Sequence, residues 1–218
     1  MNVFISIGDA CSVKYQIDKH ICKKETLIFD RVITDMNSVI KILNNYDNID
    51  EIINVDNIIK HPYNPVKADK SRIMIKCLTK FESIHDISVD MLETEVDEFI
   101  ETYKRRLMRV INHILGDKKI FFVRFGDIKS NEQIEFINAI KKINPTCDFS
   151  LVGLNNNAYL LDNNLININL DKYLIKEIDE SDWSKSYYDW KKIFNDILSA
   201  TLPLNTIRTL CGLQCSKV

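Results

Sequence analysis

The sequence predicts an α/β protein with a mixed, partly parallel sheet that is flanked by helices. From residue 93 onwards helical and strand patterns alternate, as they do where crossover helices connect parallel strands. Lys119–Phe125 and Phe149–Leu154 are continuous apolar runs of the kind that is buried on both faces of a parallel sheet. The chain has 218 residues without a sharp change of composition, so we expect one domain over residues 1–218.

Hydrophobic periodicity and turn residues predict the other elements. They are a strand at Val3–Ile7, a helix from Cys11 to about His20, a helix capped by Thr34 or Asp35, a short helix around Ile52–Ile59, strands at Arg72–Leu78 and Lys80–His85, a long helix at Glu93–Leu115, a helix from Ser130 that ends before Pro145, a hairpin of Ala158–Leu161 and Leu165–Leu170, and a helix at about Tyr187–Leu198. Residues 155–218 are thus expected to form a C-terminal hairpin and helix.

Charge and composition narrow the function classes. The net charge of −2 and the pI near 6.1 argue against nucleic-acid and anionic-membrane binding, which require basic surfaces. No apolar run approaches the roughly 20 residues of a membrane span, and no leader pattern opens the chain, so we expect a cytoplasmic protein. Heavy use of isoleucine, asparagine and lysine is typical of AT-rich genomes, such as those of low-GC bacteria or large DNA viruses; for a virus, the location would be the host cytoplasm.

The 6 cysteines contain no C-x-x-C pair and are expected to be reduced thiols. No histidine near Cys211 and Cys215 completes a zinc set, so we expect no metal site and no cofactor. The sequence also lacks the G-x-x-x-x-G-K-[ST], G-x-G-x-x-G, H-E-x-x-H and G-x-S-x-G patterns, which removes the common nucleotide-binding, zinc-protease and serine-hydrolase classes.

Cys11 is the candidate nucleophile. It follows a strand and Gly8, at the point where a helix is expected to begin. Unpaired N–H groups at a helix start favour an anion, and a cysteine there can have a lowered thiol pKa. The alternative is a small buried residue that packs the first helical turn, since free cysteine is often buried.

A thiol nucleophile needs a base, and His85, at the end of a predicted strand, is the geometrically eligible histidine. His20 lies too far along the helix of Cys11, and His113 is expected to be structural. Asp30 and Asp86 are the candidate acids that would orient the imidazole, with Asp127 as a weaker choice. Cys11, His85 and Asp127 would each fall at the C-terminal ends of strands, where α/β sheets bind ligands.

Each of these assignments has a structural alternative. His85 can be a strand-end histidine without a catalytic role, and Asp30 can form a salt bridge with Arg31 or cap a helix. Asp86 neighbours His85, but adjacent side chains on a strand point to opposite faces, so it serves only if the chain has already turned.

Lys104, Arg105, Arg106 and Arg109 form the one dense basic cluster. They lie opposite the apolar stripe of the long helix and therefore predict a solvated face. The alternative is a phosphate or carboxylate clamp in which Arg105, Arg106 and Arg109 bind the ligand.

Several short motifs occur together in a fixed order. They are Ile5–Gln16, Phe29-Asp30 before Val32–Asp35 and Ser38–Ile40, Phe81 with His85-Asp86, Tyr103–Arg106, and Phe122–Arg124. In these motifs residues 3 to 154 resemble the family described as putative papain-like cysteine peptidases. The resemblance implies Cys11 as nucleophile, His85 as base, and Asp30 or Asp86 as the orienting acid. The family usually has proline before the Phe-Asp pair and tryptophan after it, where this chain has Ile28 and Arg31.

Three functions follow as hypotheses. The first is a cysteine hydrolase that acts by acyl transfer on a peptide or protein substrate. The second is an inactive interaction protein that keeps the scaffold and binds a protein partner, with a viral origin as one setting. The third is a phosphate-ligand-binding transferase that uses the arginine cluster.

Overall fold

Two four-stranded sheets share one hydrophobic core in the computed structural model of the chain. It describes residues 2–8, 11–21, 25–61, 72–83, 86, 92–154 and 165–200. The helices and strands are β1 Val3–Ser6, α1 Cys11–Ile21, β2 Val32–Thr34, α2 Met36–Asn44, β3 Ile58–His61, β4 Arg72–Ile75, β5 Phe81–Ser83, α3 Leu92–Leu115, β6 Ile120–Phe125, α4 Ser130–Ile143, β7 Phe149–Leu154, β8 Leu165–Ile168 and α5 Trp190–Ala200. The predicted α/β class is confirmed.

The first sheet is entirely parallel, with the strand order β1-β6-β7-β8. Alternate side chains of its strands enter different clusters of the core. Phe4, Phe121 and Val123 pack with α1 and α5, whereas Ile5 and Phe122 pack with α3 and α4. Helices cover both faces, which explains why β6 and β7 are continuous apolar runs in the sequence.

The second sheet is antiparallel, with the order β2-β5-β4-β3, so parallel and antiparallel strands occupy separate sheets. The sequence predicts a short helix around Ile52–Ile59. A 3-10 helix forms at Val55–Asn57, but Ile58 and Ile59 belong to β3, so the prediction is wrong for that end. Two short 3-10 turns, Tyr46–Glu51 and Val55–Asn57, precede β3, and pairing with β4 then fixes the strand. Long-range pairing has overridden a local helical spacing.

The C-terminal part of the described chain extends the parallel sheet. β8 pairs in parallel with β7, and α5 packs beside α1 on the same sheet face. Ala158–Leu161, the other arm of the predicted hairpin, lies outside the described residues. None of the described helices is both long and apolar enough to cross a membrane.

The turn from β1 to α1 brings the two sheets into contact. Gly8 has φ +91°, and a Cβ atom there would lie 2.1 Å from Cγ2 of Thr34, at the end of β2. The buried Arg124 of β6 donates hydrogen bonds from Nη1 to the carbonyls of Ile7 (2.9 Å) and Thr34 (3.2 Å). Ile7 and Gly8, which follow β1, are therefore fixed against both sheets.

Gly8→Ala is expected to lower the free energy of unfolding in urea by about 2–4 kcal/mol, because the new methyl group overlaps Thr34 and the backbone is left-handed. Adding Thr34→Ser, which removes Cγ2, should recover part of this loss. Gly116→Ala is the matched control: its Cβ would meet no atom closer than 3.3 Å, and we expect less than about 1 kcal/mol. Equal losses in the two alanine variants would contradict this account of the turn.

Candidate active site

Cys11 is the first residue of α1, as the sequence predicts, and it lies at the C-terminal edge of the parallel sheet. Its side chain is half-buried and opens onto a pocket of about 190 Å³. The other residues that line this pocket are Lys14, Tyr15, Asp18, Arg31 and Trp183. We call it the Cys11 pocket. In open α/β sheets this edge is where ligands bind.

The electrostatics of the thiol differ from the expectation. Burial raises the pKa of the Cys11 thiol above its usual range. A hydrogen bond from its own backbone N–H and the charge of Arg31 lower the pKa, while the charge of Asp86 raises it. Burial thus outweighs the two effects that lower the pKa, and the surroundings of Cys11 favour the protonated thiol.

Asp30 is buried, with 1% of its surface exposed, and its ion-pair partner is Lys14 of α1. The alternative of a salt bridge between Asp30 and Arg31 is not realised in the described part of the chain. Lys14 Nζ lies 3.2 Å from Asp30 Oδ2 and 2.8 Å from Asp18 Oδ1, and the backbone N–H of Leu27 donates to Asp30 Oδ2 at 2.7 Å. Burial raises the pKa of Asp30 to about 6 despite these contacts. Asp30 Oδ1 has no hydrogen-bond partner among the residues that the structure describes.

Asp86 is held by three donors. Tyr103 Oη lies 2.6 Å and Ser83 Oγ 3.1 Å from Asp86 Oδ2, and Arg106 Nη2 lies 2.7 Å from Oδ1. Burial alone would raise the pKa of Asp86, but these hydrogen bonds and the Arg106 charge bring it below its usual range. β5 ends at Ser83, so the strand geometry that would direct Asp86 away from His85 does not extend to it. His85 itself lies outside the described residues.

The basic cluster on α3 divides between separate roles. Lys104 forms ion pairs with Asp50 and Glu101, Arg106 binds Asp86, and Arg109 donates to the backbone carbonyl of Thr26 at 2.9 Å. The solvated face predicted for all four therefore applies best to Arg105, which is exposed.

A second pocket, of about 350 Å³, contains both Arg105 and Arg106. Asp86, Glu95 and Glu98 also line it, and these carboxylates disfavour an anion. The contacts thus give no support to a phosphate clamp of Arg105, Arg106 and Arg109, which stays a prediction.

The remaining candidates are structural or distant. His113 Nε2 lies 2.8 Å from Glu25 Oε2, in agreement with its predicted structural role. Asp127 follows β6 and is exposed at the same sheet edge as Cys11. Cys77 and Cys147 are half-buried, and burial raises the pKa of Cys147 to about 11.

Sequence reasoning missed several residues of the site. Lys14 lies one helical turn after Cys11, and this i,i+3 spacing was an available signal. Arg124 was visible as a charge within an apolar strand. For Tyr15 the sequence indicates only a position on a helix. For Trp183 it indicates no role in the site, because this residue comes from a distant turn that precedes α5.

Comparisons with known proteins identify the family of the chain. Residues 2–158 match the family described as "putative papain-like cysteine peptidase". Uncharacterized protein R408 of Acanthamoeba polyphaga mimivirus is 24% identical over 216 residues, which cover 88% of this chain and 96% of that protein. No solved structure matches. The family match includes Cys11, Asp30 and Asp86, ends before Trp183, and covers well over half of the chain. The protein therefore belongs to the putative papain-like cysteine peptidase family.

Proposed function

We propose that the protein is a cysteine hydrolase in which Cys11 attacks the acyl carbon of a peptide, isopeptide or related amide or ester. The observation that carries this proposal is the position of Cys11, at the start of α1 and open to a pocket at the ligand-binding edge of a parallel sheet. The family match supports the same chemistry.

A base is needed because burial keeps the thiol protonated. His85 lies within the residues that match the family, and the motif resemblance implies it as the base that accepts the thiol proton.

The proposed reaction has two steps. In the first, His85 takes the thiol proton, the Cys11 sulfur bonds to the acyl carbon, and backbone N–H groups at the start of α1 stabilise the oxyanion. The bond to the leaving amine or alcohol then breaks, and the leaving group takes the proton from the imidazolium. In the second step, water attacks the thioester, the acid is released, and Cys11 recovers its proton.

Asp30 suits the orienting role better than Asp86. An acid that orients an imidazole must accept a hydrogen bond from the ring, and Asp30 Oδ1 is buried without a partner in the described part of the chain. The oxygens of Asp86 already accept hydrogen bonds from Ser83, Tyr103 and Arg106. We therefore assign Asp86 a structural role, in which it links β5 to α3.

Iodoacetamide at pH 7 is expected to alkylate Cys11 at least about tenfold faster than Cys77 or Cys147, because only Cys11 would have a base. His85→Ala should remove most of this preference, and Cys11→Ala should remove the labelled peptide. The measurement is time-resolved mass spectrometry of peptides from all six cysteines.

Uniform labelling of the six cysteines would count against the hydrolase. It would favour the interaction protein, in which Cys11→Ala leaves binding intact.

Asp30→Asn should slow the alkylation of Cys11. It should also remove the acid limb of the pH–rate profile, which is the fall of the alkylation rate at acid pH. Because the pKa of Asp30 is about 6, its carboxylate becomes protonated below that pH. The protonated acid no longer accepts the hydrogen bond that would orient the imidazole. Tyr103→Phe, which takes one donor from Asp86, should reduce the rate without moving this limb. An acid limb that is unchanged in Asp30→Asn would exclude Asp30 as the orienting acid. The readout is the pH–rate profile between pH 5 and 8.

The stability of the wild-type protein is expected to rise as the pH falls from 7.5 to 5. The folded pKa of Asp30, about 6, lies above its unfolded value of 3.8, so the folded state binds more protons between these values. The expected rise down to pH 5 is about 1.4 kcal/mol, and the full contribution of about 3 kcal/mol is reached only below the unfolded pKa. Asp30→Asn should lack this rise in urea unfolding experiments at several pH values, and an identical pH dependence in both proteins would contradict the assignment.

A further inference from the structure

Two aromatic side chains form one wall of the Cys11 pocket. The rings of Tyr15 and Trp183 are packed edge to face, with centroids 5.1 Å apart and an interplanar angle of 63°. Both side chains are unusually exposed to solvent for aromatic residues: 40% of the surface of Tyr15 and 62% of that of Trp183 are accessible. Exposed tryptophan and tyrosine beside a pocket are characteristic of binding sites, because they contribute large contact areas when a ligand covers them.

The turn that carries Trp183 is fixed in place. The carboxylate of Asp182 accepts hydrogen bonds from the backbone N–H and hydroxyl groups of Ser184 and Ser186. The buried Gln16 of α1 donates from Nε2 to the Ser184 carbonyl at 2.7 Å. Trp183 is therefore held beside α1 before any ligand arrives, which reduces the entropy lost on binding.

Arg31 gives the pocket a positive charge that forms no ion pair in the described part of the chain. Lys14, the other cation of the pocket, is instead paired with both Asp18 and the buried Asp30. It is exposed, and its φ of +60° is in the left-handed region that residues other than glycine rarely adopt. Such strain is concentrated at functional sites, and a guanidinium is well suited to bind a carboxylate.

We propose that the Cys11 pocket binds the acyl part of a substrate that carries both an aromatic or large apolar group and a carboxylate. The apolar group packs against Tyr15 and Trp183, and the carboxylate binds Arg31. A cationic ligand would be repelled by Arg31, and a wholly apolar one would leave that charge uncompensated. This inference rests on the proposed hydrolase and deepens it by naming the substrate class.

The test uses four alkylating probes that separate size from charge. Iodoacetamide is small and neutral, iodoacetate is small and anionic, N-benzyliodoacetamide is aromatic and neutral, and N-iodoacetyl-phenylalanine is aromatic and anionic. In each reaction the sulfur displaces iodide and the thiol proton passes to solvent. The rate at Cys11 is divided by the rate of the same probe with glutathione. The aromatic anionic probe is expected to exceed iodoacetamide by about tenfold or more in this ratio.

Variants assign the two preferences to their residues. Trp183→Ala should lower the ratio for the aromatic probes, whereas Trp183→Phe should keep most of it. Arg31→Gln should lower the ratio for the anionic probes, and Arg31→Lys should keep it in part. Ile178→Ala and Lys118→Gln are matched controls: Ile178 is an exposed apolar residue near Trp183 in sequence, and Lys118 is an exposed cation near the opposite end of β6. They should change nothing.

The outcomes separate this inference from the proposed function. The proposed subsite would be wrong if the four probes reacted at equal normalised rates. It would also be wrong if Trp183→Ala and Arg31→Gln left the ratios unchanged. In both cases Cys11 would still be reactive. If Arg31→Gln slows all four probes equally, the charge acts on the thiol and the carboxylate assignment is wrong. Failure of the hydrolase itself appears instead as iodoacetamide labelling without preference for Cys11.

Discussion

The close approach of Gly8 to Thr34 constrains the position of Cys11, three residues further along the chain. β1 ends at the edge of the parallel sheet, and the chain must cross to the face that α1 covers. The end of β2 lies so near this crossing that a side chain at position 8 would overlap it. Arg124 binds the carbonyls on both sides of the contact through Nη1, which offsets part of the cost of burying its guanidinium. The position of the candidate nucleophile therefore depends on the packing of two sheets.

The three carboxylates around this turn are paired with two cations, and Arg31 is not one of them. Lys14 contacts both Asp30 and Asp18 beneath the pocket, and Arg106 binds Asp86. A buried ion pair contributes little net stability, but removing one partner is strongly unfavourable. The three carboxylates are thus tied to Lys14 and Arg106. Arg31 forms no ion pair in the described part of the chain, and it lines the pocket although it follows Asp30 directly in sequence.

The parts of the fold that the sequence predicts are those set by local patterns. α3 has a long apolar stripe, and β6 has an apolar run that needs no partner to be recognised. β3 was missed because its identity comes from pairing with β4, and the cation of Asp30 was missed because it comes from another element. For the basic run on α3 the sequence predicts one solvated surface. Successive helical residues are rotated by about 100°, so Lys104, Arg105 and Arg106 cannot share a face.

The pocket combines two regions of the chain that are held in place by different contacts. Residues 2–158, which match the family, contain the turn that positions Cys11. Trp183 lies beyond that match and is positioned through the hydrogen bond from Gln16 to Ser184. α1 links the two, because it begins with Cys11 and carries Tyr15 and Gln16 on its next turn. Substitutions in the turn of Trp183 would therefore reshape the wall of the pocket without disturbing the contact between Gly8 and Thr34. Such a division lets ligand preference vary while the reactive group stays fixed.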